Sequence, residues 1–407
     1  MSYLSKLTIE DLSCKGKRVL IRVDYNVPLE NGIIQDDGRI RATLPTIRKI
    51  IDDGGIVFLL SHCGRPKGRR NSDLSLRPVA ERLSELIGLK VKFVDDCIGL
   101  KVKEVRASAQ PGDVILLENL RFYPGEEEND EVFAQKLAGD ADIYIDDAFA
   151  TTHRKHASMV AVAKFVPVSA LGYLVLREME MLEGLVANPK RPFIAIIGGI
   201  KVSSKLGMVE YLLDRCDEIL IGGPMACTFF ESLGVMSGSS FCEHDKIDVA
   251  HQILEKAGSM IPNSGKLLLP LDAIVSNKIS MEGTKVVASY DSIPEDLTIA
   301  DIGPDTIARF KKQLESAQTI IMNGPLGAFE VDKFSHGTRE IFKSLAERYE
   351  NGATVVLGGG DTTSAARKYG MEDRVTHIST GGGASLKVLE GKPLPAIEVL
   401  TERKNIG

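Results

Sequence analysis

Two kinds of anion-binding chemistry are written into this chain, one in each half. Before residue 155 the candidate groups are side-chain cations placed just after apolar runs: Arg39, His62, Arg65, Arg121 and Arg154. After residue 195 they are glycine turns with a pair of lysines: Gly198-Gly199, Lys201, Lys205, Gly222-Gly223, Gly358-Gly359-Gly360 and Gly381-Gly382-Gly383. Guanidinium and imidazole groups suit a small, heavily charged anion. Bare backbone amides at helix starts suit the phosphates of a nucleotide. Both kinds of site in one chain, kept apart in sequence, predict two phosphorylated ligands meeting across a gap.

Each motif has a plainer alternative. DYNVP (24–28) offers Asp24 and Asn26 past a run of apolar residues, yet Asx residues also bond their own turns. SHCGRP (61–66) presents His62 and Arg65 around Gly64, with Pro66 stiffening what is otherwise an ordinary exposed loop. Arg39 stands beside a second arginine in DDGRIRAT, as solvated charges often do. Arg121 has Glu118 and Asn119 close by, so an internal ion pair competes with ligand binding. HRKH (153–156) spaces two histidines for one face, but no third ligand stands at zinc spacing, and Arg154 reads as an anion ligand.

In the second half, IAIIGGIKVSSKL (194–206) ends a buried run in two glycines and then sets Lys201 and Lys205 four apart. On a helix start they share a face, where they oppose the macrodipole and repel each other. A polyphosphate relieves both. GxxxxGK[ST] occurs nowhere, so this is not a Walker A loop. LGGGDTT places Asp361 and Thr362 at the opening of a helix that Gly370 ends. Asp361 is either a magnesium ligand or an N-cap. STGGGASLK has no acid within its turn and suits an anion. NGPLGAFE (323–330) carries Asn323, a rigid Pro325, and Glu330 as a ribose acceptor or a surface acid.

These residues need a scaffold that presents loops at one edge. Nine short runs are apolar on both faces: 18–23, 56–60, 114–118, 143–145, 193–197, 218–221, 319–322, 354–357 and 375–378. Such runs mark parallel strands buried between helix layers. Helical patterns fall between them. Val79, Leu83, Leu86 and Ile87 share a face, with Ser75 as cap and Gly88 as stop; Leu206, Val209, Leu212 and Leu213 share another. The alternation predicts α/β architecture, with ligands at the carboxyl ends of strands. The amphipathic stretch from Leu171 to Ala187 divides four strands from five. The expectation is therefore two Rossmann-like parallel-sheet domains of similar size, joined by a hinge helix.

Composition limits the rest. A chain of 407 residues exceeds a single growing core, and 43% hydrophobic with 26% charged residues is ordinary for a globular protein. Net charge is 50 − 56 = −6, which argues against a nucleic-acid partner. The six cysteines include no CxxC pair, so free thiols in a reducing cytoplasm are expected. Neither a signal peptide nor a membrane span is apparent.

Taken together, RVDYNVP, LLSHCGRP, LLENLRF, DAFATTHRKHAS, IIGGIKVSSK, NGPLGAFE, LGGGDT and STGGGASLKVLEGK resemble the signature segments of the phosphoglycerate kinase family, collinearly over essentially the whole chain. The resemblance implies reversible phosphoryl transfer from 1,3-bisphosphoglycerate to ADP, giving 3-phosphoglycerate and ATP. It implies that Asp24, Tyr25, Asn26, Arg39, His62, Cys63, Gly64, Arg65, Arg121 and Arg154 hold the phosphoglycerate. Gly199, Lys205, Gly223, Asn323, Pro325, Glu330, Gly358, Gly359, Gly360, Asp361 and Thr362 would hold the nucleotide, with Asp361 on Mg2+. Arg39, Lys201 and the helix start at Gly382 would face the phosphoryl group in flight. It further implies a phosphoglycerate domain at 1–170, an interdomain helix at 171–188, a nucleotide domain at 189–390, and a segment 391–407 returning to the first domain. Small-molecule substrates, a monomeric state and hinge closure belong to the same expectation.

Three positions depart from the family pattern: Pro224 and Ala150 stand for glycines, and Ile200 for a small residue beside Lys201. Two rival functions remain to be weighed. A nicotinamide-dependent dehydrogenase needs GxGxxG after an early strand, and none is present. A binding protein that has lost catalysis predicts a missing charge, yet Arg39, Lys201, Lys205 and Asp361 are all in place.

Overall fold

The structure, a computed structural model, describes residues 3–30, 32–260 and 264–405. The chain forms two compact units. The first is Met1–Glu180 with Pro393–Gly407, and the second is Met181–Lys392.

In the first unit the strands are β1 (Arg18–Val23), β2 (Leu29–Glu30), β3 (Ile33–Ile34), β4 (Ile56–Leu60), β5 (Val91–Val94), β6 (Val114–Leu117), β7 (Ile143–Asp147) and β8 (Val168–Leu171). Six form a parallel sheet in the order β5-β6-β4-β1-β7-β8, and β2 and β3 make a small hairpin. The side chains of β4 are buried throughout, because helices cover both faces of a central parallel strand. The helix Arg77–Ile87 packs Val79, Ala80 and Leu83 inward and stops at Gly88, whose φ of 75° lets its amide return to the Ser84 carbonyl. Its cap position is Leu76; one residue earlier, the Ser75 hydroxyl oxygen accepts from the Arg77 amide at 3.3 Å while donating to Glu118. The C-terminal segment packs in this unit. The buried Lys6 ammonium donates to the carbonyls of Glu398 and Leu400 and pairs with Glu402.

In the second unit the strands are β9 (Phe193–Ile197), β10 (Glu218–Ile221), β11 (Leu267–Leu268), β12 (Asp272–Ser276), β13 (Val286–Ser289), β14 (Thr298–Ile302), β15 (Thr319–Asn323), β16 (Thr354–Gly358) and β17 (His377–Ile378). Six are parallel in the order β11-β10-β9-β15-β16-β17, and β13-β12-β14 form a separate antiparallel sheet. All nine strands expected from the sequence form.

The additional strands have physical reasons for escaping a search for apolar runs. β5 alternates, with Lys92 exposed at the sheet edge. β8 carries Ser169, and β11 is two residues long. β13 is largely exposed.

The stretch read as one helix from Leu171 differs as well. Leu171 closes β8, and the helix begins at Tyr173. Gly172 turns the chain where a Cβ would lie 2.2 Å from Asp147 Oδ1. The helix then passes through a π turn at Glu180–Gly184, and the division between the units falls inside that turn. A π turn is a local break in the hydrogen-bond ladder.

Candidate active site

In the first unit the strand order gathers the candidates. β6, β4, β1 and β7 are neighbours, so the segments following them lie side by side: Asn119 to Arg121, Ser61 to Arg65, Asp24 to Asn26, and the turns reaching Arg154. Hydrogen bonds lock the segments together. Asn119 Nδ2 donates to the Cys63 carbonyl at 2.7 Å, and Arg121 Nη1 to the Gly64 carbonyl at 2.7 Å. The Gly64 amide donates to Asn26 Oδ1 at 2.9 Å, leaving the Asn26 amide nitrogen as a donor.

Asp24 is buried and accepts from Arg39 Nη1 and from the Asn26 amide. Arg39 is thus held at the site rather than solvated. Arg121 is buried and pairs with Glu127, not with its near neighbour Glu118. The Glu118 carboxylate instead receives the Leu76 and Asn119 amides. Arg65 is exposed, and Arg154 is half-buried.

Two candidates have buried side chains. The Tyr25 hydroxyl is fully buried against Thr43 at 2.9 Å, and burial raises its pKa far above the usual phenol value. The Cys63 thiol is buried as well, and desolvation pushes its pKa to about 11.

His62 departs from its reading as a cation. Burial, followed by the charges of Arg22, Arg121 and Arg154, holds its pKa well below the ordinary imidazole value. Arg22 Nη2 lies 3.0 Å from His62 Nδ1. An arginine can only donate, so Nδ1 accepts and the neutral ring carries its proton on Nε2. His62 is therefore a neutral donor among cations. His156 is neutral for the same reasons, with its pKa lowered to about 3.

Arg22 was missed by motif reading because it lies inside β1. It is completely buried and also donates to Ser158 Oγ. The available signal was an arginine flanked by apolar residues in the interior of a strand, a placement that burial disfavours unless the charge is used or paired.

In the second unit, β10, β9, β15, β16 and β17 are consecutive neighbours, so five polar or glycine-rich turns lie in a row. Some of the glycines are there for packing. A Cβ on Gly198 would sit 2.1 Å from the Pro325 carbonyl oxygen, and one on Gly324 2.2 Å from that of Gly198. Gly360 differs, because a Cβ there meets nothing within 4 Å. Its bareness suits a ligand pressed against the backbone. Gly382, at the N-cap of the helix Gly383–Leu389 with φ of 48°, also has open space.

We therefore expect opposite outcomes from two alanine substitutions. Gly198→Ala costs about 3 kcal/mol in stability from backbone overlap, read by chemical denaturation. Gly360→Ala leaves stability within about 0.5 kcal/mol but weakens nucleotide binding. Equal stability losses would remove the distinction.

The lysines also separate. The helix begins at Leu206, and the five residues before Lys205 are irregular. Lys201 and Lys205 hence do not share a helix face. The turn is fixed otherwise: Ser204 Oγ donates to the Lys201 carbonyl, and Glu243 accepts from the Ser203 amide and hydroxyl. Lys201 is exposed. Lys205 is tucked inward, its ammonium donating to the Asn323 backbone carbonyl at 2.8 Å and to Asn323 Oδ1. Desolvation lowers its pKa to about 8, opposed by Asp361.

Asp361 lies in the first turn of the helix Gly360–Lys368, whose cap position is Gly359 and which has no side-chain cap. Its carboxylate is exposed and not committed to capping, a single hard oxygen donor beside open backbone amides. That fits Mg2+, which takes one or two protein carboxylates and completes its shell with phosphate oxygens and water. Thr362 is buried and accepts from the Gly324 amide at 2.6 Å, tying the β16 turn to the β15 turn. Glu330 is exposed.

The departures are accommodated. Ala150 lies outside the left-handed region, so a glycine is not needed there. Ile200 points outward and is 61% exposed. Pro224 lies between Gly223, with φ of 71°, and the helix Ala226–Ser232, and its carbonyl accepts from the Cys227 amide.

The family model for phosphoglycerate kinase matches residues 9–392. The chain is 47% identical over 398 residues to phosphoglycerate kinase of Chloroherpeton thalassium, covering 98% of this chain and 100% of that one. It is 48% identical over 404 residues to that of Thermosipho africanus, covering 99% and 100%. Phosphoglycerate kinase 3, cytosolic, of Arabidopsis thaliana is 48% identical, with 97% and 98% covered. The structure of phosphoglycerate kinase from Coxiella burnetii superposes with a TM-score of 0.89 at 40% identity, covering 97% of this chain and 98% of that one. That from Pyrococcus horikoshii gives 0.79 at 33%, with 97% and 98% covered.

Proposed function

The chain belongs to the phosphoglycerate kinase family, and from that premise we propose how its residues divide the work. The reaction is phosphoryl transfer between the acyl phosphate of 1,3-bisphosphoglycerate and ADP, giving 3-phosphoglycerate and ATP. The observation that carries the division is the contrast between the two carboxyl edges. One is built from buried and half-buried cations around Asp24, and the other from open amides around Lys205.

In this reading Arg39, Arg65, Arg121 and Arg154 neutralise the acid, the Asn26 amide and His62 Nε2 donate to it, and the Tyr25, Cys63 and Gly64 backbone shapes its seat. Gly358, Gly359, Gly360 and Gly382 bring amides to the phosphates. Lys205 supplies buried charge. Gly199, Gly223, Asn323 and Pro325 form the neighbouring walls, Thr362 braces them, and Glu330 reaches toward the ribose.

Asp361 would hold magnesium, which when bound would shield the nucleotide's phosphate charge. In-line transfer between two oxygens needs no covalent enzyme intermediate. Catalysis is positioning plus neutralisation of the equatorial oxygens, and Lys201 and Arg39 provide it without proton transfer. A coupled assay with ATP and 3-phosphoglycerate tests the reading. Turnover that ignores magnesium would count against the Asp361 role, and absence of turnover against the whole.

We further propose a monomer acting in the cytoplasm. Among the described residues no helix is long and apolar enough to cross a membrane, and all six cysteines are unbridged. Two ligands held on separate units require the units to close, with the π turn at Glu180–Gly184 as one hinge point. Solution scattering is expected to give a smaller radius of gyration with both ligands bound; an unchanged radius would refute closure.

The Lys205 pKa has its own consequence. In the free protein the ammonium loses its proton as pH rises through about 8. Above that pH a nucleotide must restore the proton before it gains the charge. ADP affinity is therefore expected to fall about tenfold from pH 7 to pH 9 by linkage, measured calorimetrically, and Lys205→Met is expected to flatten the profile. A flat profile in the parent protein would contradict the assignment.

A further inference from the structure

A second candidate metal position lies in the second unit, outside every glycine turn. Glu231, on the helix Ala226–Ser232, meets Cys242 from the irregular segment that follows and His244 from the 3-10 turn His244–Lys246. The carboxylate oxygen, the sulfur and the ring nitrogen all lie within 4.8 Å of one another. Glu231 Oε2 and His244 Nδ1 are 3.0 Å apart. In a tetrahedral zinc site neighbouring ligand atoms are about 3.3–3.7 Å apart, given Zn–N and Zn–O near 2.0–2.1 Å and Zn–S near 2.3 Å. Small side-chain adjustments reach that spacing.

The ligands are held by the protein. Cys242 Sγ lies 3.7 Å from Thr228 Oγ1, and the Glu243 amide donates to the same oxygen at 3.2 Å. Glu243, between the two loop ligands, is fastened in turn by the Ser203 amide and hydroxyl at 2.9 and 2.6 Å. The segment therefore presents Cys242 and His244 without first having to be ordered. The Glu231 side chain is 16% exposed and that of His244 76% exposed, so solvent reaches the position from one side.

We propose that Glu231, Cys242 and His244 form a zinc site with its fourth position open to water. A thiolate, an imidazole and a carboxylate are the donors that borderline-soft Zn2+ prefers. Mg2+ prefers an all-oxygen shell and is not expected to compete. Binding forms a Zn–S bond and releases the thiol proton to solvent, with no change in oxidation state. The site is distinct in residues and donor chemistry from the magnesium position at Asp361.

The test uses the full chain, Zn2+ and a competing chromophoric chelator, in excess Mg2+. One zinc per chain is expected, with Cys242→Ser and His244→Ala each weakening binding at least tenfold. Substitution by Co2+ is expected to give a thiolate-to-metal charge-transfer band that Cys242→Ser abolishes. His244 is exposed, so its variant keeps the test valid should Cys242→Ser perturb folding. Absence of stoichiometric zinc would overturn the proposal. So would affinity unchanged in both variants, which would place the bound metal elsewhere, as at His153 and His156.

Discussion

Lys201→Ala is expected to lower kcat by about 10²–10³-fold while changing nucleotide affinity by less than about threefold. Removing one preorganised charge from a developing negative charge costs about 2.7–4 kcal/mol in the transition state. The placement of Lys201 motivates the asymmetry. It is exposed on a turn that Glu243 and Ser204 fix from outside, and no hydrogen bond or ion pair engages its ammonium among the described residues. Such a cation contributes little to the fold and is available for charge that appears only during transfer. Lys205 is the opposite case, bound to Asn323 in the ground state, and its loss is expected in nucleotide affinity first. Steady-state kinetics with calorimetric ADP binding separate the two. An unchanged kcat for Lys201→Ala would refute its role, and a matched rise in Kd would make it a ground-state ligand instead.

Arg39→Ala is expected to reduce kcat/KM for 3-phosphoglycerate by about 10³-fold, through a lower kcat and a higher KM. A charge-assisted, bidentate arginine contact is among the stronger polar interactions, and here the same group is proposed to bind the acid and to face the transferring phosphoryl. Asp24 holds the Arg39 guanidinium at the site before any ligand arrives, and the arginine side chain remains 39% exposed. The arginine is thus positioned in advance yet free on its other edge. Arg39→Lys is expected to recover little, since an ammonium cannot reproduce the planar fork. Retention of more than a tenth of parental kcat/KM in Arg39→Ala would contradict the assignment. A parental circular dichroism spectrum in the same variant excludes misfolding as the cause.

Much of the fold was legible because parallel strands buried on both faces are apolar throughout, and FIAII or IVFLL need no partner to be recognised. The short edge strands and the antiparallel β13-β12-β14 sheet were not. Their residues alternate or lie exposed, and their pairing depends on segments far away in the chain. The break at Gly172 was hidden for a similar reason. Pairing with Asp146 holds Leu171 in β8, and the Asp147 carboxylate accepts from the Leu174 amide at the start of the helix, partners some 25 positions apart in the sequence.

The candidate site divides along the same line. Asp24, Arg39, the SHCGRP loop and the glycine turns could be named in sequence because their chemistry is local: a residue type, a strand end and a turn. The chain by itself determined which groups stand at the carboxyl edges and that one half carries side-chain cations while the other carries bare amides. Tertiary structure alone decided what those groups are. Strand order set Arg121, His62, Asp24 and Arg154 on neighbouring segments. Burial beside Arg22 made His62 a neutral donor, and enclosure by the β15 turn lowered the Lys205 pKa. The Pro325 carbonyl separated a glycine required for packing from one left open at Gly360. Protonation, desolvation and steric room are properties of surroundings, and these surroundings are assembled from residues tens to more than a hundred positions apart.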